Sequence, residues 1–162
     1  RMLLEAGAAE GIREVGFNAM LSTRIEKSFG IWSAEFTQDR TPGMTAMDRW
    51  IDWGKGDFIG RDAAMAERDG NGPAQVQVTL EIDAHDADAS GYEPVWANGE
   101  KVGFVTSGGY GHYIGTSLAM ALVNRDKAVV GTKMSVYVVG VERAAKVVAA
   151  SPYDPDGKAM RS

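Results

Sequence analysis

The chain has 162 residues, of which 44% are hydrophobic and 24% charged, and a formal net charge of −5. This is the composition of one medium globular domain or two small ones, long enough to bury a core without covalent staples. The acidic balance argues against a nucleic-acid partner, since phosphate binding rests on clustered basic residues, and the lack of any cysteine excludes disulfides, thiolate metal sites and cysteine nucleophiles.

No apolar run approaches the length of a membrane-spanning helix, and no signal peptide opens the chain. A cytoplasmic protein with no membrane partner is therefore expected. The first residue is Arg1, not Met, inside what reads as a helix. The simplest reading is a piece of a longer polypeptide.

Leu4, Ala8, Ile12 and Val15 fall at helical spacing and predict one amphipathic helix, with Gly16 as its C-terminal cap. Asn18 is expected to cap a second helix that turns Leu21 and Ile25 inward and Arg24 to another face. From Gly30 to Gly56 the pattern is irregular, with a turn at Thr41-Pro42-Gly43 and Trp50, Ile51 and Trp53 as expected buried anchors. A short helix is predicted from Arg61 to Glu67. The polar, turn-rich run Asp69-Gly70-Asn71-Gly72-Pro73 marks a boundary, dividing the chain into 1–72 and 73–162.

Beyond it the period changes to two. Val76, Val78, Leu80 and Ile82 alternate with Gln75, Gln77, Thr79 and Glu81, as in a half-buried strand. Further strands are predicted around Pro94–Trp96, Lys101–Thr106, Ser117–Val123, Lys133–Val139 and Glu142–Val148. Asn98-Gly99 is a hairpin signal, because both turn positions tolerate positive φ, and Val139-Gly140-Val141 marks another tight turn. Six short strands in so few residues predict a small antiparallel barrel. The fold class is thus α+β. The tail from Ser151 is polar, with a turn at Asp154-Pro155-Asp156-Gly157.

Chemistry-bearing residues concentrate between Ser22 and Pro42. Arg24 and Glu26 cannot share a helical face, since residues two apart point away from each other. In irregular backbone the Arg24 fork could clamp a carboxylate in two parallel hydrogen bonds. The plainer reading, which residue physics favours, is a structural salt-bridge network with Lys27 and Glu35. Phe29 and Trp32 could wall a planar heterocycle or belong to a core. Ser107-Gly108-Gly109-Tyr110-Gly111-His112 lacks the Gly-Lys-Ser/Thr ending of a phosphate loop and reads as tight turning at a barrel rim, where Gly permits positive φ. Tyr110, His112 and Tyr113 could line a cleft there. Asp83, Asp86, Asp88 and Glu93 with His85 lack calcium-loop spacing, and His85 and His112 lack ligand spacing, so no metal site is expected. A Ser-His-Asp triad stays open, though no nucleophile-elbow motif supports one.

The ordered blocks R-I-E-K-S-F-G-I-W, E-F-T-Q-D-R-T-P, K-G-D-F-I-G-R-D-A-A, E-K-V-G-F-V-T-S-G-G-Y, G-T-S-L-A-M-A-L-V and S-P-Y-D-P-D-G resemble the glycine-cleavage T-protein (aminomethyltransferase) family. Together they cover nearly the whole chain. The branch they most resemble is the folate module of dimethylglycine and sarcosine dehydrogenases. The resemblance implies the end of a folate-binding α+β domain over 1–72 and the C-terminal barrel with its tail over 73–162. It implies tetrahydrofolate as cofactor, a small N-methylated amine as substrate, the upstream part of the same polypeptide as partner, and FAD only in a missing upstream domain. The chemistry implied is passage of a one-carbon unit from the amine to tetrahydrofolate.

Carried over position by position, Phe29 takes the place of the family's folate-facing tyrosine and Trp32 an aromatic position. Met20 stands where many members have a folate-binding arginine, four positions before Arg24. The candidate ligand-facing residues are Phe29, Trp32, Arg24, Glu26 and Tyr110. Catalytic residues are unassigned, because the family's catalytic aspartate and pterin-binding glutamate lie upstream of Arg1. Two other readings remain open. One is a folate-dependent demethylase or aminomethyltransferase without flavin. The other is a non-catalytic structural or interaction barrel. A truncated, open cleft beside Phe29 would mark the enzyme segment, and a closed core there a self-contained binding module.

Overall fold

The computed structural model describes residues 1–159 and 161. Three α-helices precede six strands: α1 (Met2–Ala6), α2 (Phe17–Glu26), α3 (Arg61–Asp69), β1 (Gln75–Ile82), β2 (Pro94–Ala97), β3 (Glu100–Gly111), β4 (Thr116–Asn124), β5 (Lys133–Val138) and β6 (Val141–Val148). All strand pairs are antiparallel, and the ring runs β1-β4-β3-β2-β5-β6 and closes back on β1. The closed six-stranded barrel is the one the strand pattern predicts. Closure leaves no edge strand open to intermolecular pairing.

Alternation places Leu80, Val95, Val105, Ala121, Val136 and Val147 inside the barrel. β4 departs from alternation, with every residue from Ser117 to Val123 buried. Its inner face, Ala119, Ala121 and Val123, joins the barrel core, while Leu118 and Met120 on its outer face pack with Ile25 of α2. A strand buried on both faces reads as a continuous apolar run. Burying Ile25 contributes roughly 1.5–3 kcal/mol and fixes α2 against β3 and β4.

Two hairpins use two-residue turns. Asn98 (φ 53°) and Gly99 (φ 80°) join β2 to β3, and Val139 (φ 48°) and Gly140 (φ 78°) join β5 to β6. Positive φ at both positions matches the strand twist. Val139 is unusual there, because a β-branched residue is strained in that region.

The structure corrects several local expectations. The first helix ends at Ala6 instead of running to Val15, and of the stripe Ala8, Ile12 and Val15 are exposed while Leu4 is half-buried. Short helices depend on packing of an apolar face, and most of this stripe stays exposed to solvent. Gly16 precedes α2 instead of capping α1, and Asn18 lies within α2. Trp50 is 75% exposed, not an anchor. The third helix runs to Asp69, two residues beyond Glu67.

The run Ser107–Gly111 forms no turn. It is strand, paired with β4 through Gly111↔Thr116, and Gly108, Gly109 and Gly111 are absent from the positive-φ set. At Gly108 the requirement is close approach, because an added Cβ would sit 2.2 Å from the carbonyl oxygen of Ala89.

Candidate functional site

The region rests on one buried carboxylate. Glu35 is fully inaccessible. Its Oε2 accepts from Arg24 Nη1 at 3.0 Å and from the Ile31 amide at 2.9 Å. Its Oε1 accepts from the Thr106 hydroxyl at 2.7 Å and from the Ser107 hydroxyl. Successive strand residues normally point to opposite faces. Here the register of β3 on β4 slips between Val105 and Ser107, leaving Thr106 as the extra residue. That bulge turns two consecutive hydroxyls onto one carboxylate, the kind of re-aiming bulges provide. Thr106 Oγ1 also lies 3.1 Å from the Met120 carbonyl.

Arg24 is therefore held from within. Besides Glu35 it donates from Nη1 to the Phe29 carbonyl at 3.1 Å, while its covered Nε has no acceptor among the described residues. Glu26, also buried, accepts at Oε1 from the amides of Tyr113 and Ile114 at 2.7 and 2.9 Å. It thereby ties α2 to the turn between β3 and β4. Arg24 and Glu26 point apart, as their spacing requires. The Arg24–Glu35 pair of the structural network is present, but Lys27 turns elsewhere.

Lys27 faces the tail. Its Nζ donates to the Asp154 carbonyl at 2.5 Å and lies 3.7 Å from Asp154 Oδ2. Ser151 donates from its amide to Ser28 Oγ at 2.8 Å and from its hydroxyl to the Lys27 carbonyl at 2.7 Å. The Tyr153 amide donates to the Glu26 carbonyl at 3.0 Å. The tail turn appears as predicted, with the Gly157 amide on the Asp154 carbonyl at 2.9 Å.

These contacts build an open groove of about 460 Å³ bordered by Met20, Thr23, Lys27, Phe29, Tyr113 and Tyr153, with Arg24 and Glu26 beside them. The rings of Tyr113 and Tyr153 meet edge to face, 4.4 Å between centroids. Phe29 is 45% exposed, with Lys27 Nζ 5.8 Å from its ring centre. On its other side Phe29 borders a second hollow of about 240 Å³ with Thr45, Met47, Gln77 and Val148. Such a surface suits a planar aromatic body with a polar edge.

Of the five candidate residues, the structure gathers Arg24, Glu26 and Phe29 at this groove. Trp32 is 72% exposed and borders neither hollow, its backbone bridging to Phe36. Tyr110 packs its ring against His112 and accepts at its carbonyl from Ser22, away from the groove lining. The sequence reading includes Tyr113 among cleft residues but misses Met20 and Tyr153 as walls. The tail turn was visible, yet nothing local says that it folds back onto α2. In the acidic loop, Asp86 pairs with Arg143 and Asp88 accepts from Ser117. No group of three or more potential metal ligands occurs among the described residues, and none of their helices is long and apolar enough to cross a membrane.

A family model described as the glycine cleavage T-protein C-terminal barrel domain matches residues 75–154, and one described as the GCVT N-terminal domain matches residues 1–55. The chain belongs to the glycine-cleavage T-protein family. Among relatives, mitochondrial dimethylglycine dehydrogenase of Homo sapiens is 33% identical over 147 residues, 90% of this chain and 17% of that protein. An aminomethyltransferase of Geobacillus sp. (strain WCH70) is 30% identical over 152 residues, 93% of this chain and 41% of that protein. The crystal structure of glycine cleavage system aminomethyltransferase T from Bartonella henselae superposes with a TM-score of 0.86 at 24% identity, over 95% of this chain and 43% of that one. That last likeness is one of fold. The chain thus spans about a sixth of the dehydrogenase and about two-fifths of the aminomethyltransferases.

Proposed function

We propose that this chain is the C-terminal segment of a tetrahydrofolate-dependent aminomethyltransferase-like module, from an FAD-linked dehydrogenase of dimethylglycine or sarcosine type. The module passes a one-carbon unit from an N-methylated amine to the folate. The observation that carries the reading is the groove beside Phe29. It is open, aromatic and apolar, as expected of one wall of a larger site, where a self-contained binding module would have a closed core. The order of the two family matches and the names of the relatives support the same reading.

The groove fits the aromatic body of a folate: Phe29 offers a ring face, Tyr113 and Tyr153 an aromatic corner, and Met20 a polarizable contact. When bound, tetrahydrofolate supplies the nitrogen that accepts the one-carbon unit. The residues here bind and orient. Glu35 fixes Arg24, and Arg24 fixes the Phe29 carbonyl, so Phe29 is set on a braced segment. Glu26 sets Tyr113 through its amide. Holding reactants in place in this way is itself a large share of catalysis. Trp32 and Tyr110, outside the groove, would face ligand only across a surface supplied by the upstream part of the polypeptide. The resemblance places the family's catalytic aspartate outside these residues, so the chain alone is expected to show no one-carbon transfer.

Titration of the chain with tetrahydrofolate, followed by tryptophan fluorescence and calorimetry, tests the reading. Saturable binding weakened about tenfold by Phe29→Ala supports it. No binding by a folded chain, or binding indifferent to Phe29, sinks the assignment of this groove. Detectable one-carbon transfer by these residues alone would overturn the division of labour.

A further inference from the structure

The opposite side of the barrel holds an unrelated constellation. In the ring order, β5 and β6 lie across from the β3 and β4 arc that α2 covers. Trp96 of β2 pairs in register with Ser135 of β5, and Tyr137 of β5 with Glu142 of β6. All four border one open hollow of about 540 Å³, with Lys133 and Asn98 on its rim. The rings of Trp96 and Tyr137 stand 6.3 Å apart at 66°, two walls of a corner. Glu142 accepts from Ser135 Oγ at 2.6 Å and from Tyr137 Oη at 3.3 Å.

Those bonds orient the Glu142 carboxylate without neutralising it, and no lysine or arginine reaches ion-pair distance of it among the described residues. Its charge is felt locally, for it is the first cause holding the Tyr137 phenol above its ordinary pKa. The Trp96 indole N–H is covered and has no acceptor among the described residues, an arrangement that stability alone disfavours. Two aromatic walls meeting beside an unpaired carboxylate form the chemistry that recognises a methylated ammonium group, which is large, weakly hydrated and attracted to ring faces. Lys133 on the same rim suits an acidic group carried on the same molecule.

We propose that Trp96, Tyr137 and Glu142 form a second site, for a small zwitterion bearing a methylated ammonium group. The site goes beyond the folate reading and does not depend on it. Glycine betaine is the probe. tert-Butylacetate, which keeps its shape and carboxylate but lacks the positive charge, is the control. The readout is the indole N–H resonance of Trp96 in two-dimensional NMR, assigned with Trp96→Phe. Betaine is expected to shift that resonance saturably, tert-butylacetate not to, and Glu142→Gln to weaken betaine binding about fivefold. Tyr137→Leu, which removes a wall, is expected to weaken it at least as much. Glu142 is exposed, so Glu142→Gln keeps the spectrum of a folded barrel and the comparison interpretable. No saturable shift, an equal shift with tert-butylacetate, or unchanged affinity in Glu142→Gln would each overturn the proposal.

Discussion

The Glu35 junction makes the sharpest energetic prediction. Glu35→Ala removes a fully buried carboxylate and strips partners from Arg24, the Ile31 amide and the hydroxyls of Thr106 and Ser107. The side chain of Arg24 is only 12% exposed, so its charge cannot simply turn to water. Breaking one partner of a buried pair costs about 3–5 kcal/mol, and an orphaned amide adds about 1–3 kcal/mol. The two are not additive, because Arg24 keeps the Phe29 carbonyl at 3.1 Å. The expected loss is about 4 kcal/mol, on the order of a thousandfold in the folding equilibrium and a large part of a typical total of 5–15 kcal/mol. Arg24→Met alone leaves Glu35 three donors and costs about 2–3 kcal/mol. The double variant Arg24→Met/Glu35→Met replaces charges with apolar volume and loses under about 2 kcal/mol. Urea unfolding of the wild type, Arg24→Met, Glu35→Met and the double variant, followed by circular dichroism, closes the cycle, with Glu35→Ala measured beside it. A loss below about 1 kcal/mol for Glu35→Ala, or single losses that merely sum to the double, would refute the reasoning.

Three further tests probe other links. Gly108→Ala places a Cβ 2.2 Å from the Ala89 carbonyl oxygen, whereas at Gly109 the nearest atom is Ile25 Cδ1 at 3.6 Å; thermal unfolding should show a loss of about 2 kcal/mol or more for the first and little for the second, and equal behaviour would deny the close approach. Val139→Asn relieves a β-branched residue at φ 48° and is expected to stabilise by about 1 kcal/mol; a lower melting temperature would count against that turn geometry. Glu142→Gln removes the main cause raising the Tyr137 pKa, so absorbance at the phenolate band should report Tyr137 titrating at lower pH. The sign for stability follows: in the native protein a raised phenol pKa makes the folded state hold its proton longer, so the barrel loses stability as pH climbs through the alkaline window, and the variant should lose less. A phenolate titration unmoved by the substitution would break the coupling.

The barrel was legible because its signals are local. Period-two alternation in Val76–Ile82 and the Asn98-Gly99 turn each have one structural meaning. The glycine-rich run was not, because glycine answers two different demands. Positive φ and close approach leave the same letters in the sequence, and only the Ala89 carbonyl above Gly108 tells which applies. The N-terminal stripe failed for another reason: periodicity says that a helix would be amphipathic, not that a surface exists to receive it. At the candidate site, Arg24, Glu26 and Phe29 were found because they crowd together in sequence. Tyr153 was not, since its place beside Phe29 depends on a tail returning over more than a hundred residues. The bulge at Thr106 left no signal at all, although it decides how Glu35 is satisfied.

The β1–β6 seam, pairing Thr79 with Val148, has a consequence for how the protein comes into being. A chain emerging in order makes β1 early and its closing partner last. Until β6 arrives, the nascent sheet β1-β4-β3-β2-β5 has β1 at one margin and β5 at the other, both unsealed and open to strangers. The residues that then follow, Ser151 to Asp154, fasten onto Lys27, Ser28 and Glu26. Completion of the groove wall therefore follows directly on completion of the barrel, both of them late. A chain stopped a few residues short of Ser151 would be left with a closed barrel whose groove lacks its Tyr153 wall.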